Sequence, residues 1–287
     1  MSFHAEDVSN WEDFLCVERK FSQGQGWAFR GQVENWPLET TLRRALNDWE
    51  ICNEKASKIE IEMMRDFRRK YDGKDSELVR KDIPYCLALM QHFGAPTRLL
   101  DFTYSIYVAL FFSVQKVTQS EPVIWAINGT WTEKRAHEMD LTRTFLGHLP
   151  DYKRGGGFFA RIFLSNRSRF IHQVNPLILN ERQIIQQGVF LVPASISVPF
   201  EENLTCLRGF RSRKNVVKIH LKIRNSVRLE FLRQLHKMNI SEASLFPGLE
   251  GFSEAFKNRI WLYESIADRR KTTWRSLDTI AAKPLSY

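Results

Sequence analysis

Between Gln91 and Thr103 the chain sets Gln91, His92, Thr97, Arg98, Asp101 and Thr103 among apolar residues, around a Gly-Ala-Pro turn at 94–96. An imidazole, a guanidinium, a carboxylate, two hydroxyls and an amide in so short a stretch can bind an anion or move a proton. The segment reads as the end of a helix, a turn, a short apolar strand stopping at Asp101 and Thr103, and an apolar helix over 105–114. Strand-to-helix corners of this kind are where α/β proteins place ligands. Each residue also has a structural reading. His92 beside Phe93 suits a satisfied core histidine, Arg98 and Asp101 suit a buried ion pair fixing the strand end, and Asp101 or Thr103 suits a cap on the next helix.

The elements that would position these groups follow from periodicity. Trp27 and Phe29 alternate with Ala28 and Arg30, the pattern of a half-buried strand that carries Arg30 to one face, and Gly31 permits a close backbone approach or a bulge. Residues 183–192 and 177–179 read as strand. Gln186-Gln187-Gly188 interrupts the first of these as either a bulge aimed at a site or a hairpin tip. The spacing predicts helices over 11–21 with Asn10 as cap, from Pro37 through Leu46, over 53–71 along Ile59, Met63, Phe67 and Tyr71, over 85–93, over 226–238, and from Phe252 toward Tyr263. Residues 123–127 form a buried-strand candidate. Val217, Ile219 and Leu221 alternate with Lys218 and His220, a half-buried strand that would leave His220 in solvent. From Thr130 to Arg169 no period is evident, and Gly155 to Gly157 read as a loop that lacks P-loop spacing.

The 287 residues, 43% hydrophobic and 26% charged, suffice for a full core, and the chain is expected to be globular. A net charge of +9 favours an anionic ligand or nucleic acid, although the basic clusters are spread along the chain and read first as solvated faces. The four cysteines show no metal or disulfide spacing, and Cys16 and Cys86 read as core filling. The histidines form no metal-ligand pairs, so no metal is expected. The start has no signal pattern and no apolar run spans a bilayer, so a cytoplasmic protein without membrane contact is expected. Gly-x-Gly-x-x-Gly, Gly-x-Ser-x-Gly and His-Glu-x-x-His are all missing, which removes support for dinucleotide-fold, hydrolase-elbow and zincin chemistry.

Phe29-Arg30-Gly31-Gln32, the segment Gln91 to Thr103 with its apolar helix, Asn180 to Phe190, and Leu245 to Gly251 together resemble the FRG domain, named for its Phe-Arg-Gly tripeptide. The motifs occur in family order. Phe102 stands where the family more often has Trp, and Gly248 and Glu250 stand where Asp is usual. With the N-terminal helix read above and the polar end of the chain, the sequence is expected to divide into an N-terminal helix over 1–24, an FRG domain over 25–264 and a polar tail over 265–287. The resemblance implies an α+β fold, a mostly β core with flanking helices, and a bacterial or phage toxin or anti-phage effector.

Arg-Gly on an early strand, with a later strand ending in Thr before an apolar helix, is also similar to the elements with which ADP-ribosyltransferases hold NAD. By that likeness Arg30 pairs with a phosphate and Thr103 supports the nicotinamide ribose, while Asp101 or Glu181 must supply the carboxylate because Gln186 and Gln187 occupy the late strand. The resulting candidate site has Arg30, His92, Asp101 and Gln187 at the chemistry, and Gln32, Gln91, Thr97, Arg98, Thr103, Arg182 and Gln186 on the ligand. NAD is the expected substrate. The alternative is a nucleotide- or nucleic-acid-binding module without transferase activity, using basic clusters beside aromatics such as Trp49 and Trp274.

Overall fold

A computed structural model describes residues 2–22, 24, 26–116, 121–138, 159–164, 168–176, 178–258 and 260. The chain divides into two units, Met1–Ile240 and Ser241–Tyr287. In the first unit the elements run β1 (His4–Val8), α1 (Trp11–Ser22), β2 (Trp27–Gln32), α2 (Thr41–Asp48), α3 (Ala56–Lys70), α4 (Ser76–Lys81), α5 (Ile83–His92), β3 (Leu100–Thr103), α6 (Ile106–Val114), β4 (Val123–Asn128) and α7 (Gly129–Glu138). A π-helical turn (Ala160–Leu164) follows, then β5 (Ile171–Val174), α8 (Glu181–Ile185), β6 (Gly188–Pro193), α9 (Phe200–Thr205), β7 (Val216–Leu221) and α10 (Asn225–Lys237). The second unit holds α11 (Glu242–Leu245) and α12 (Leu249–Asn258).

The strands form one seven-stranded sheet in the order β1-β7-β4-β2-β3-β6-β5. Among the described residues the β1–β7 pair is parallel and the other five pairs are antiparallel. This is the expected α+β architecture. β2 is central, flanked by β4 and β3, and Trp27, Ala28 and Phe29 are all buried, so the half-buried reading of that strand is corrected. Both of its faces are covered, which is why alternation is muted there. α6 lies against β2: a Cβ on Gly31 would sit 1.8 Å from the Ala109 carbonyl oxygen. Glycine is therefore required by a close approach of backbone, one of the two expected roles.

Several local expectations hold. Asn10 Oδ1 accepts from Asp13 N (2.9 Å) at the head of α1, and Gly94 follows α5 at φ +85°, although α5 starts at Ile83, two residues earlier than expected, with Asp82 as its cap and Pro84 in its first turn. Others change. α2 begins at Thr41 rather than at Pro37, because the Thr40 hydroxyl accepts from Arg43 N and supplies the cap. α6 is capped by Ser105, whose hydroxyl accepts from Val108 N, and not by Asp101 or Thr103. The deepest residues of α3 are Ala56, Ser57, Glu60 and Met64, one position round the helix from the apolar stripe.

Residues 183–187 are not strand. Asn180 and Gln183 form a capping box that starts α8, and Gln186 closes that helix, with Gln187 at φ +49° turning the chain into β6. Residues 178 and 179 are likewise outside any strand. β1, α4, α7, β5 and α9 had no sequence signal. Cys86 is buried as expected, but Cys16 is exposed, since α1 buries Trp11, Phe14, Val17 and Phe21. His220 is half-buried beside Glu121 (3.2 Å), not solvent-facing. In the second unit, Phe252 and Phe256 pack edge to face at 5.0 Å. The glycine loop at 155–157, Trp274 and the tail from 265 lie outside the described residues. No helix among the described residues is long and apolar enough to cross a membrane.

Candidate functional site

A cavity of about 730 Å³ opens beside the middle and end of β2, well within the size range of small-molecule sites. Arg30 and Gln32, two apart on β2, point to the same face. The Gln32 amide is fixed by Trp125, whose indole N–H donates to Gln32 Oε1 at 3.0 Å, and the Lys218 ammonium sits 4.5 Å from the Trp125 ring centre. Arg30 Nη1 donates to the Asp101 carbonyl oxygen (2.7 Å), whereas its Nε is buried with no hydrogen-bond partner. Burial pushes the Arg30 pKa below its ordinary value; Asp101 opposes this and Arg44 adds to it. A guanidinium remains charged regardless, so the site carries a desolvated cation with an unused donor.

Asp101 provides a carboxylate at the same place. The Gln91 amide Nε2 donates to Asp101 Oδ2 (2.8 Å), and Gln91 Oε1 in turn accepts from the Thr97 hydroxyl. Thr97 is itself fixed, its backbone N–H donating to the Thr41 hydroxyl (2.9 Å) and its hydroxyl accepting from Leu99 N (3.2 Å). Thr97, which is outside the cavity lining, therefore positions Gln91 and through it the carboxylate.

Of the residues proposed from sequence, Arg30, Gln32, Gln91, His92, Asp101, Thr103, Arg182 and Gln186 meet on the cavity wall. His92 is exposed there, its ring against Phe93 (5.2 Å), and is not a core histidine. The Thr103 hydroxyl is occupied, donating to the Gln186 carbonyl (2.7 Å) and accepting from Ser105 N (3.0 Å). Arg98 and Gln187 lie apart from the wall. Arg98 is fully buried and pairs with Glu60, not with Asp101 (Nη2–Oε2 2.6 Å), and its Nη1 donates to the Phe163 carbonyl (2.6 Å). Gln187 shapes the turn before β6, its carbonyl accepting from Tyr104 N (3.0 Å). Glu181, the second carboxylate suggested by the resemblance, is not on the wall either.

Sequence reading missed Trp36, Glu39, Arg44 and Lys116, all of which line the cavity. Their signal was proximity: Trp36 to Arg44 follow the Arg30 strand directly, and Lys116 follows the apolar helix. The lining cations Arg30, Arg44, Lys116 and Arg182 outnumber the carboxylates Glu39 and Asp101. Among the described residues no cluster of His, Cys, Asp and Glu is arranged to hold a metal.

Glu39 pairs with Arg43 (3.3 Å), but burial pushes its carboxyl pKa above the usual range, against the opposing pull of Arg43. The folded protein thus holds this proton more tightly than the unfolded chain. The associated stability is complete below about pH 4.3, the ordinary glutamate value, and is lost as pH rises through the elevated one. Glu39→Gln is expected to gain on the wild type in urea midpoint as pH increases through that window. Parallel midpoint curves for the two proteins would contradict this.

With the Arg30 strand, the Asp101 corner and the apolar α6 placed around one cavity, comparison with known families is decisive for residues 25–122, which match the model of the FRG domain. The chain carries an FRG domain. The match takes in β2 through α6 of the FRG domain and so includes Arg30, Gln91, His92 and Asp101, while α8, with Arg182 and Gln186, falls after it. No curated protein and no solved structure matches the chain.

Proposed function

We propose that the FRG-domain cavity binds a nucleotide, with NAD as substrate, and that it catalyses ADP-ribosyl transfer. The observation that carries this reading is the juxtaposition of Arg30, a desolvated guanidinium with an unused Nε donor, and the Asp101 carboxylate held by Gln91. Arg30, Arg44, Lys116 and Arg182 supply charge for a pyrophosphate, and the half-exposed Trp36 offers a face for a base (48% exposed). In the reaction the bond between the ribose anomeric carbon and nicotinamide breaks, and its electron pair leaves with neutral nicotinamide. An acceptor oxygen or nitrogen bonds to the same carbon and releases its proton to solvent. Asp101 stabilises the positive charge that develops on the ribose. A protein that modifies a partner or depletes NAD suits the toxin or anti-phage role that the resemblance implies.

The test is to incubate the full chain with adenylate-labelled NAD and cell extract. Nicotinamide release and label transfer are expected, with Asp101→Asn slowing both by about 10²–10³-fold while NAD binding by calorimetry persists. Binding without any nicotinamide release would leave a nucleotide-binding module in place of a transferase. Absence of binding would remove the nucleotide reading altogether.

A further inference from the structure

We infer that the turn joining α9 to β7 is a docking site for the phosphate backbone of a nucleic-acid duplex, separate from the cavity. Arg208, Arg211, Arg213 and Lys214 are all exposed on this turn, and none forms an ion pair among the described residues. Lys55, Lys58 and Lys70 are likewise exposed and without an ion pair among the described residues, but they are spread from one end of α3 to the other and are not gathered on one short turn, and many other surface cations are neutralised. Lys20, Arg65, Lys81, Arg169 and Lys222 each have a carboxylate oxygen within 3.0 Å.

The turn is also held in place. Trp131 Nε1 donates to the Arg208 carbonyl (3.2 Å), Asn215 Nδ2 to the Gly209 carbonyl (2.8 Å) and Asn128 Nδ2 to the Lys214 carbonyl (3.3 Å). Gly209 sits at φ +92°, a conformation that other residues rarely adopt. Phe210 turns inward against Phe3 (5.9 Å) and supports the Arg211 guanidinium at 5.2 Å. Unpaired charges on an anchored backbone lose little ordering entropy when they meet a polyanion.

The composition selects the partner. Three of the four cations are arginines, whose planar forks match phosphate. No aromatic side chain of the turn is fully exposed for stacking on unpaired bases, and no exposed apolar one is present to enter a bilayer. Register separates the two sites: Val216 pairs with Ile127 and Asn128 with Trp27, so the turn lies where β2 begins, whereas the cavity is lined from Phe29 onward.

The probe is a fluorescent 24-base-pair DNA duplex of arbitrary sequence, titrated with the full chain at several salt concentrations. Four phosphate contacts give a log–log salt slope of about −3.6, or about a 10²-fold loss of affinity between 50 and 200 mM salt. A variant carrying Arg208→Gln, Arg211→Gln, Arg213→Gln and Lys214→Gln should lose most of that slope with an unchanged circular dichroism spectrum. A charge-matched control with Lys55→Gln just before α3 and Lys58→Gln, Arg69→Gln and Lys70→Gln on its exposed surface should bind as the wild type does. The inference is overturned by a wild-type slope shallower than about −1, by equal losses in both variants, or by binding to phosphatidylserine vesicles in place of the duplex.

Discussion

Replacing Glu60 with Gln is expected to cost about 3–5 kcal/mol of stability, the usual consequence of removing one member of a buried ion pair. Both Glu60 and Arg98 are fully buried, and Glu60 serves Arg98 twice: Oε1 accepts from the Arg98 backbone N–H (3.1 Å) and Oε2 from its Nε (2.6 Å). The amide in the variant cannot neutralise the guanidinium, which stays charged because it cannot give up its proton. The effect should extend beyond α3, because Arg98 also holds the Phe163 carbonyl of the π-helical turn and lies two residues before β3. Urea denaturation is the measurement. Combining Glu60→Leu with Arg98→Met should recover most of the loss, since a buried pair replaced by apolar groups of similar volume is often neutral. A Glu60→Gln midpoint close to that of the wild type would show that the charge finds another partner.

Gly31→Ala should be comparably damaging for a steric reason. The added methyl group would meet the Ala109 carbonyl oxygen at 1.8 Å, with Ala109 C and Ser113 N each at 2.8 Å, and all three are helix backbone atoms that cannot swing aside. Moving α6 off β2 by the needed distance should cost at least about 3 kcal/mol, the upper end for overpacking. It should also abolish the nucleotide binding proposed for the cavity, because Arg30 and Gln32 flank the displaced residue. Calorimetry with NAD and a urea titration would report the two effects separately, and a stable variant that still binds would refute the steric account. The Phe-Arg-Gly tripeptide thereby has a physical role at each position. Phe29 is buried edge to face against Phe21 at 5.3 Å, Arg30 enters the cavity, and Gly31 admits the helix.

The parts of this structure that were legible in sequence are those in which one physical rule dominates. The Asn10 cap, the Gly94 turn after α5, the all-apolar α6 and the strand at Val216–Leu221 each follow from a local pattern. What escaped was decided by distant partners. β1 has a polar sequence and becomes a strand through pairing with β7. Glu60 looks like another surface charge on a basic helix until Arg98, far along the chain, claims it. At residues 183–187 a polar capping box outweighed an apolar run. Arg98 and Asp101 are near in sequence but go separate ways, one to the core and the other to the cavity. Glu39 and Arg44 gave no motif of their own and are recognisable only once β2 and α2 are brought beside Asp101.

The parallel β1–β7 pair also constrains how the sheet is assembled. His4 faces Val217 and Val8 faces Leu221, so β1 leaves the ribosome about 210 residues ahead of the strand it pairs with. At ordinary elongation rates of ~5–20 residues per second that interval is roughly 10–40 s. Until then β7 is missing between β1 and β4, leaving the outer edge of β4 open to other chains. Nascent chains truncated before Val216 are therefore an aggregation hazard even when the entire Phe-Arg-Gly region has already been synthesised.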